Sequence, residues 1–181
     1  VGETTLPRQW DLSRIRPAGT PLKSFGGVAS GPAPLRRMLK DLSSLYDSYE
    51  GQKVDARLIV DTMNLIGRCV VAGGTRRSAQ VAFGGPADTQ FLDLKLDDEK
   101  VSDYRWVSNN SIFARVGMDY RDAASRTSTN GEPGYLWLEN ARAYGRMKDE
   151  PNWADAPAEG SNPCVEQTLW DRELCTLVET Y

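Results

Sequence analysis

The chain has 181 residues, of which 40% are apolar and 26% charged, and its formal net charge is −3. This balance is typical of one soluble globular domain, and neither a membrane span of about eighteen apolar residues nor a basic nucleic-acid surface is present. The absence of histidine excludes Ser-His and Cys-His hydrolase schemes and most zinc sites, so acid–base work falls to carboxylates, lysines, tyrosines or cysteines. Three cysteines, an odd number, and an N-terminus without a secretory pattern predict a cytoplasmic protein.

Prolines and glycines are frequent in residues 1–34, which predicts long loops with one short strand. Within them, Gly26 and Gly27 belong to a glycine-containing stretch, Phe25 to Pro32. Such a stretch is either an ordinary turn or a loop whose backbone amides approach a ligand closely.

Two helices follow. Residues 35–49 carry apolar side chains at steps of three and four, with Pro34 in the first turn and Gly51 at the stop. A second helix is predicted from about Asp55 to Cys69. Its inward side chains are predicted to be Leu58, Ile59, Met63 and Ile66. Cys69, at the helix end, is interpreted as a packing residue.

After the second helix comes a run with loose backbone, two arginines and several polar side chains. Its candidate ligand-binding residues are Gly73, Gly74, Thr75, Arg76, Arg77, Ser78 and Gln80. Guanidinium groups bind oxyanions in a bidentate manner, so the run is suited to a phosphate or a base edge. The alternative is a solvated turn.

Residues 81–115 are predicted to form strands and a connection. Val81 to Phe83 is a short apolar strand, and Phe91 to Leu96 alternates apolar and charged residues as a strand does. Asp97 to Lys100 is interpreted as a solvated turn, and Tyr104 to Phe113 as a strand interrupted by Asn109, Asn110 and Ser111.

The remaining elements are a turn at 130–134, an aromatic strand at 135–138, and a helix and loop over 139–161. Strands that alternate with helices indicate an α/β fold.

The loop at 139–161 leads into Asn162-Pro163-Cys164-Val165-Glu166, and Cys175 follows eleven residues after Cys164. In an extended segment, the period of two places Asn162, Cys164 and Glu166 on one side, which groups an amide, a thiol and a carboxylate. An inert buried cysteine is the alternative, but an apolar core would not select Asn and Glu as alternate neighbours.

This pattern of Asn-Pro-Cys-x-Glu with a second cysteine resembles the active-site finger loop of ribonucleotide reductases, most closely the adenosylcobalamin-dependent class II enzymes. Further segments look similar in the family's order, and together they cover nearly the whole chain. They are 16–20, 25–32, 64–67, 70–80, 105–111 and 130–134.

The resemblance implies part of a ten-stranded α/β barrel with the cysteine loop threaded through its centre. It implies that Cys164 becomes the thiyl radical that abstracts the ribose 3′ hydrogen and that Glu166 is the base on the 3′ hydroxyl. Asn162 would hold the ribose hydroxyls, and Cys175 would supply an electron and a proton and end in a disulfide. The stretch containing Gly26 and Gly27 and the run 73–80 would border the site of an allosteric deoxynucleotide effector.

By the same resemblance, the cofactor is adenosylcobalamin, bound largely by residues outside this chain, and the partners are a ribonucleotide, a thioredoxin-type reductant and complementing reductase chains. The family's second reducing cysteine and its later strands have no counterpart here, so we expect a central barrel fragment of a split or processed enzyme. A catalytically silent nucleotide-binding regulatory subunit and a fragment of a diiron-dependent reductase are the alternatives.

Overall fold

The structure, a computed structural model, describes residues 6–23, 26–74, 77–145 and 150–176. The chain divides into two compact units. The first contains Val1–Ser78 and Asp103–Val107, and the second contains Ala79–Ser102 and Ser108–Tyr181. In the part of the chain that is described, no helix has the length and apolar character needed to cross a bilayer.

The first unit is built on two packed helices, α1 (Ala33–Ser48) and α2 (Ala56–Val71). Both were predicted within two residues at each end, because Pro lies in the first turn of α1 and the Asp55 carboxylate caps α2 by accepting a hydrogen bond from Leu58 N at 2.8 Å. No residue of α1 is fully buried, so its apolar stripe is only partly covered within this unit.

The buried face of α2 differs from the predicted one. Ile59 and Met63 are 55% and 48% exposed, whereas Asp61 and Asn64 are fully buried. Asp61 is buried because Arg105 pairs with it through two hydrogen bonds, from Nε at 2.6 Å and from a terminal guanidinium nitrogen at 2.8 Å. A buried carboxylate needs such a partner, and no local hydrophobic pattern reveals one 44 residues away.

The second unit contains a three-stranded parallel sheet in the order β1 (Gln80–Gly84), β2 (Ser108–Phe113) and β3 (Gly134–Leu136). Val81 pairs with Asn109, and Ile112 pairs with Tyr135. Ile112 is fully buried and marks the core of this sheet.

Short helices lie along the chain between and after these strands: α3 (Thr89–Leu92), α4 (Asp98–Asp103), α5 (Arg121–Asn130) and α6 (Leu138–Ala143). The predicted strand at 91–96 is wrong, because these residues form the end of α3 and a 3₁₀ turn at Leu94–Leu96 that buries Phe91, Leu92 and Leu94. The predicted turn at 97–100 is largely the first part of α4. The predicted strand at 104–113 begins only at Ser108, after a 3₁₀ turn at Arg105–Val107, and its asparagines belong to β2 rather than interrupting it.

The chain then forms a small antiparallel hairpin, β4 (Gly160–Ser161) with β5 (Thr168–Leu169). Gly160 lies against the ring of Phe83, since a Cβ at this position would be 3.3 Å from the ring. The hairpin is therefore seated on the first strand of the parallel sheet, and its loop carries the candidate catalytic residues.

Candidate active site

The candidate catalytic loop consists of residues 162–167, which connect β4 and β5. Asn162 and Gln167 close it with a backbone hydrogen bond of 3.0 Å, and Val165 N donates to Asn162 O at 3.0 Å. Val165 has a positive φ of 66°. For a β-branched residue this conformation is an outlier that costs on the order of 1–3 kcal/mol. The turn that follows Cys164 is therefore strained.

Asn162 is the centre of this loop. Its side chain is 3% exposed. Its Nδ2 donates to Glu166 Oε1 at 2.5 Å and to Cys175 Sγ at 3.4 Å, while its Oδ1 accepts a hydrogen bond from Gln167 N at 3.1 Å. One buried amide therefore joins the predicted base to the predicted reducing thiol.

Cys164 takes a different position from the one that an extended segment would give. The segment forms a turn from Asn162 to Val165, so the alternation of a strand does not apply to Cys164. Its thiol is exposed, and in the described part of the chain no hydrogen bond joins it to Asn162, Glu166 or Cys175. The structure thus brings three of the four predicted groups into contact and leaves the thiol of Cys164 at the surface of the turn.

Beside the loop, Glu166 lines a cavity of about 680 Å³. Tyr144 and Trp170 provide aromatic walls, and Asp155 accepts a hydrogen bond of 2.9 Å from Thr168 in β5. Glu166 itself is exposed, so its carboxylate is accessible to a bound molecule.

A fifth residue, Asn109, contacts the loop from the parallel sheet. Its Nδ2 donates to Pro163 O at 2.7 Å. The two residues are 54 positions apart in the sequence and come together because β2 pairs with β1, on which the β4–β5 hairpin is seated. The paired asparagines at 109 and 110 favoured a turn, while the resemblance of 105–111 to the reductases indicated a place near the substrate.

The predicted effector loops lie in the first unit, although Phe25, Thr75 and Arg76 lie outside the described residues. Gly73 has a φ of +88°, and a Cβ there would be 3.0 Å from the Cβ of Ser30. Glycine at this position therefore lets the end of α2 approach the loop that contains Gly26 and Gly27.

The loop that contains Ser30 borders a cavity of about 360 Å³. It is lined by residues 28–31, by Arg14 and Arg16, and by Cys69, Val70 and Ala72 at the end of α2. Arg14 was missed by sequence reasoning, because an exposed arginine in a loop has no distinguishing local pattern. Of the other predicted residues, Arg77 is exposed and Ser78 is half-buried, and Gln80 begins β1 in the second unit.

The chain has no histidine to offer to a metal, and no cluster of three metal-ligating side chains occurs within the described ranges. The exposed thiol of Cys164 fits a cofactor that oxidises it by direct approach.

Comparison with known proteins gives consistent results. A family profile described as "B12-dependent ribonucleotide reductase, insertion domain" matches residues 7–46. The adenosylcobalamin-dependent ribonucleoside-triphosphate reductase of Euglena gracilis is 49% identical over 98% of this chain and 25% of its own length. The corresponding enzyme of Lactobacillus leichmannii is 42% identical over 94% of this chain and 23% of its own length.

A crystal structure of a B12-dependent (class II) ribonucleotide reductase has a TM-score of 0.78 with this chain at 40% identity, covering 88% of this chain and 22% of that one. The chain therefore spans about a quarter of the length of the curated relatives that it matches. The resemblance inferred from the motifs is confirmed, and so is the mixed α/β character of the fold.

Proposed function

We propose that this chain is the central part of the catalytic barrel of an adenosylcobalamin-dependent class II ribonucleotide reductase. With complementing reductase chains, it would reduce ribonucleotides to 2′-deoxyribonucleotides. The relatives named above are triphosphate reductases, so we propose ribonucleoside triphosphates as substrates. The observation that carries the proposal is the contact of Asn162 with both Glu166 and Cys175, in a loop that also presents Cys164.

The barrel is part of the proposal. The three parallel strands would be neighbouring strands of a ten-stranded barrel, and the β4–β5 hairpin would be the finger loop inside it. A hairpin seated on the sheet through Phe83 and Gly160 supports this arrangement.

Cys164 acts in the proposal as the hydrogen-abstracting group. Adenosylcobalamin, when bound, supplies the one-electron oxidation that converts the thiol of Cys164 into a thiyl radical. The radical then removes the 3′ hydrogen of the ribose and returns a hydrogen to the same carbon after reduction. The sulfur has to approach the sugar closely and be shielded from water, so complementing chains would have to cover the thiol that is exposed in this chain.

Glu166 is the proposed base. Its carboxylate takes the proton of the 3′ hydroxyl while the substrate radical is present. The hydrogen bond of 2.5 Å from Asn162 Nδ2 orients Oε1, and exposure of the side chain toward the neighbouring cavity leaves the carboxylate accessible. Asn162 would also hold the ribose hydroxyls, which requires its Nδ2 to give up the bond to Cys175 when substrate binds, because both amide hydrogens are engaged in this structure.

Cys175 is the proposed reductant. It gives a proton and an electron as the 2′ hydroxyl leaves as water. A second cysteine, contributed by a complementing reductase chain, supplies the second reducing equivalent, and the two sulfurs become joined in a disulfide. A thioredoxin-type dithiol then restores them. Cys175 is exposed, which supports exchange with such a partner.

A deoxynucleotide effector would bind at the loops of the first unit. The predicted contacts in that unit are Gly26, Gly27, Gly73, Gly74, Thr75, Arg76, Arg77 and Ser78, and Arg14 and Arg16 are added because they line the cavity there. Guanidinium groups would pair with the phosphates of the effector.

The test is turnover by the chain combined with its complementing reductase polypeptide, adenosylcobalamin, a dithiol and ribonucleoside triphosphates. We expect deoxynucleotide formation, its loss in Cys164→Ser, and unchanged nucleotide binding by that variant. Product from Cys164→Ser would contradict the assignment. Nucleotide binding without any turnover by the unaltered chain would instead support a regulatory subunit.

Replacement of Glu166 by Gln tests the base separately. Glutamine keeps an oxygen that can accept from Asn162 Nδ2 but cannot take up a proton at neutral pH. We expect a slower chemical step, by about 100-fold or more, with nearly unchanged substrate affinity. A loss confined to affinity would contradict the role of Glu166 as a base.

A further inference from the structure

We infer that Asn109 is a positioning residue for the loop that carries Cys164. The inference rests on the proposed function, because it concerns how the thiol at that position is aimed. Its basis is the hydrogen bond of 2.7 Å from Asn109 Nδ2 to Pro163 O.

The acceptor lies next to the reactive residue. Pro163 O belongs to the peptide group whose nitrogen is that of Cys164, so a bond to this oxygen fixes the plane of that peptide. The orientation of that plane helps to set the direction in which the side chain of Cys164 projects from the backbone. The turn bond from Val165 N to Asn162 O fixes the loop from within, and the amide of Asn109 fixes it from outside.

Asn109 is itself held on a rigid element. Its neighbours in β2 are both buried, and Ser108 Oγ donates to Asn110 Oδ1 at 2.9 Å. Lys95 Nζ donates to Ser108 O at 2.5 Å and lies 3.2 Å from Glu132 Oε2. A side chain that projects from such a segment can hold a reactive group to a fraction of an ångström.

Stability is not what this contact chiefly provides. Asn109 is exposed, and its hydrogen bond is open to water, which can replace it in a variant. The hairpin is also seated at its base, where Gly160 meets Phe83. Loss of the Asn109 bond would therefore leave the hairpin in place and free only the tip, where Cys164 lies.

An aspartate at position 109 is the sharpest perturbation. It has nearly the same shape, but it presents only acceptor oxygens to Pro163 O, so the contact becomes repulsive. Asn109→Ala removes the donor without adding repulsion. Asn140→Asp is the matched control, since it introduces the same charge at another exposed asparagine, on α6.

The experiment measures kcat and KM in the reconstituted reductase, together with the thermal midpoint. We expect Asn109→Asp to lower kcat about 100-fold, because a misplacement of about 1 Å has that effect on a chemical step. The KM for the nucleotide and the thermal midpoint should match those of Asn140→Asp, and Asn109→Gln, which retains an amide donor, should recover part of the rate. Unchanged kcat in Asn109→Asp, or a fall in kcat that parallels a fall in the thermal midpoint, would overturn the inference.

A second measurement separates this inference from the proposed function. Alkylation of Cys164 and Cys175 by iodoacetamide is followed by mass spectrometry in the same complexes. We expect Asn109→Asp to raise the rate at Cys164 severalfold and to leave the rate at Cys175 unchanged. Equal effects on both thiols would overturn the inference even where turnover is normal. An inactive unaltered complex in which Asn109→Asp still frees Cys164 selectively would instead contradict only the proposed reaction.

Discussion

Replacement of Asn162 by leucine separates the stability of the catalytic loop from its chemistry. Leucine has a similar volume but can neither donate to Glu166 and Cys175 nor accept from Gln167. We expect a modest loss of stability together with a large loss of activity.

The magnitudes follow from the surroundings of Asn162. The three hydrogen bonds lost are those to Glu166 Oε1 at 2.5 Å, to Cys175 Sγ at 3.4 Å and from Gln167 N at 3.1 Å. All three partners are exposed, so water replaces the lost bonds, and each costs roughly 0.5–1.5 kcal/mol at most. Burial of the apolar leucine offsets part of this. A net loss of roughly 1–3 kcal/mol remains, whereas loss of the orientation of Glu166 slows the chemical step about 100-fold or more.

The assay pairs chemical unfolding with the rate of deoxynucleotide formation at saturating substrate. Asn64→Leu is the matched control. Asn64 is also fully buried, but neither polar atom of its side chain has a hydrogen-bond partner among the described residues. Its replacement should leave stability equal or higher and the rate unchanged. A normal rate in Asn162→Leu, or a loss of activity explained entirely by unfolding, would refute the reasoning.

The remaining predictions concern packing and thiol reactivity. Arg105→Met should lower the free energy of unfolding by up to about 3–5 kcal/mol in urea titration, because the buried Asp61 loses its nearest cation and keeps the more distant contact of 3.6 Å with Arg57. Asp61→Leu should restore most of this loss in the double variant. Cys69 should react with iodoacetamide more slowly than Cys164 at pH 8, because burial raises the pKa of the Cys69 thiol. The rate at Cys69 should increase as the pH is raised above 8. Equal rates at the two thiols at pH 8 would contradict this prediction. Gly84→Ala should cost about 1–3 kcal/mol, since its Cβ would lie 2.3 Å from a buried aromatic ring; an unchanged thermal midpoint would show that the ring moves freely.

The elements that the sequence predicted well are those with purely local signals. Helix α1 follows from the spacing of its apolar residues, and β1 follows from a short apolar run that ends in glycine. The motif at 162–166 grouped Asn162 with Glu166, and their side chains are hydrogen-bonded, but the extended segment assumed for that grouping is a turn.

The features that the sequence did not reveal depend on distant partners. Asp61 can be buried because Arg105 pairs with it and Arg57 lies 3.6 Å from it, and neither partner can be inferred from the hydrophobic pattern of α2, which indicated the wrong face. Asn109 belongs to a strand because β2 pairs with β1, where Val81 is its partner, although paired asparagines alone favour a turn. The position of Cys164 depends on the turn at Val165, where a valine adopts a backbone conformation that its residue type disfavours.

The parallel sheet of the second unit ends on β1 and on β3, and within the described ranges neither has a strand on its outer side. Each edge strand thus exposes backbone amide and carbonyl groups, and such edges readily pair with another extended polypeptide. In the proposed barrel, these edges would pair with the neighbouring strands, and they would promote aggregation where those strands are missing. Co-expression of this chain with its proposed complementing polypeptide should therefore yield more soluble protein than expression of this chain alone.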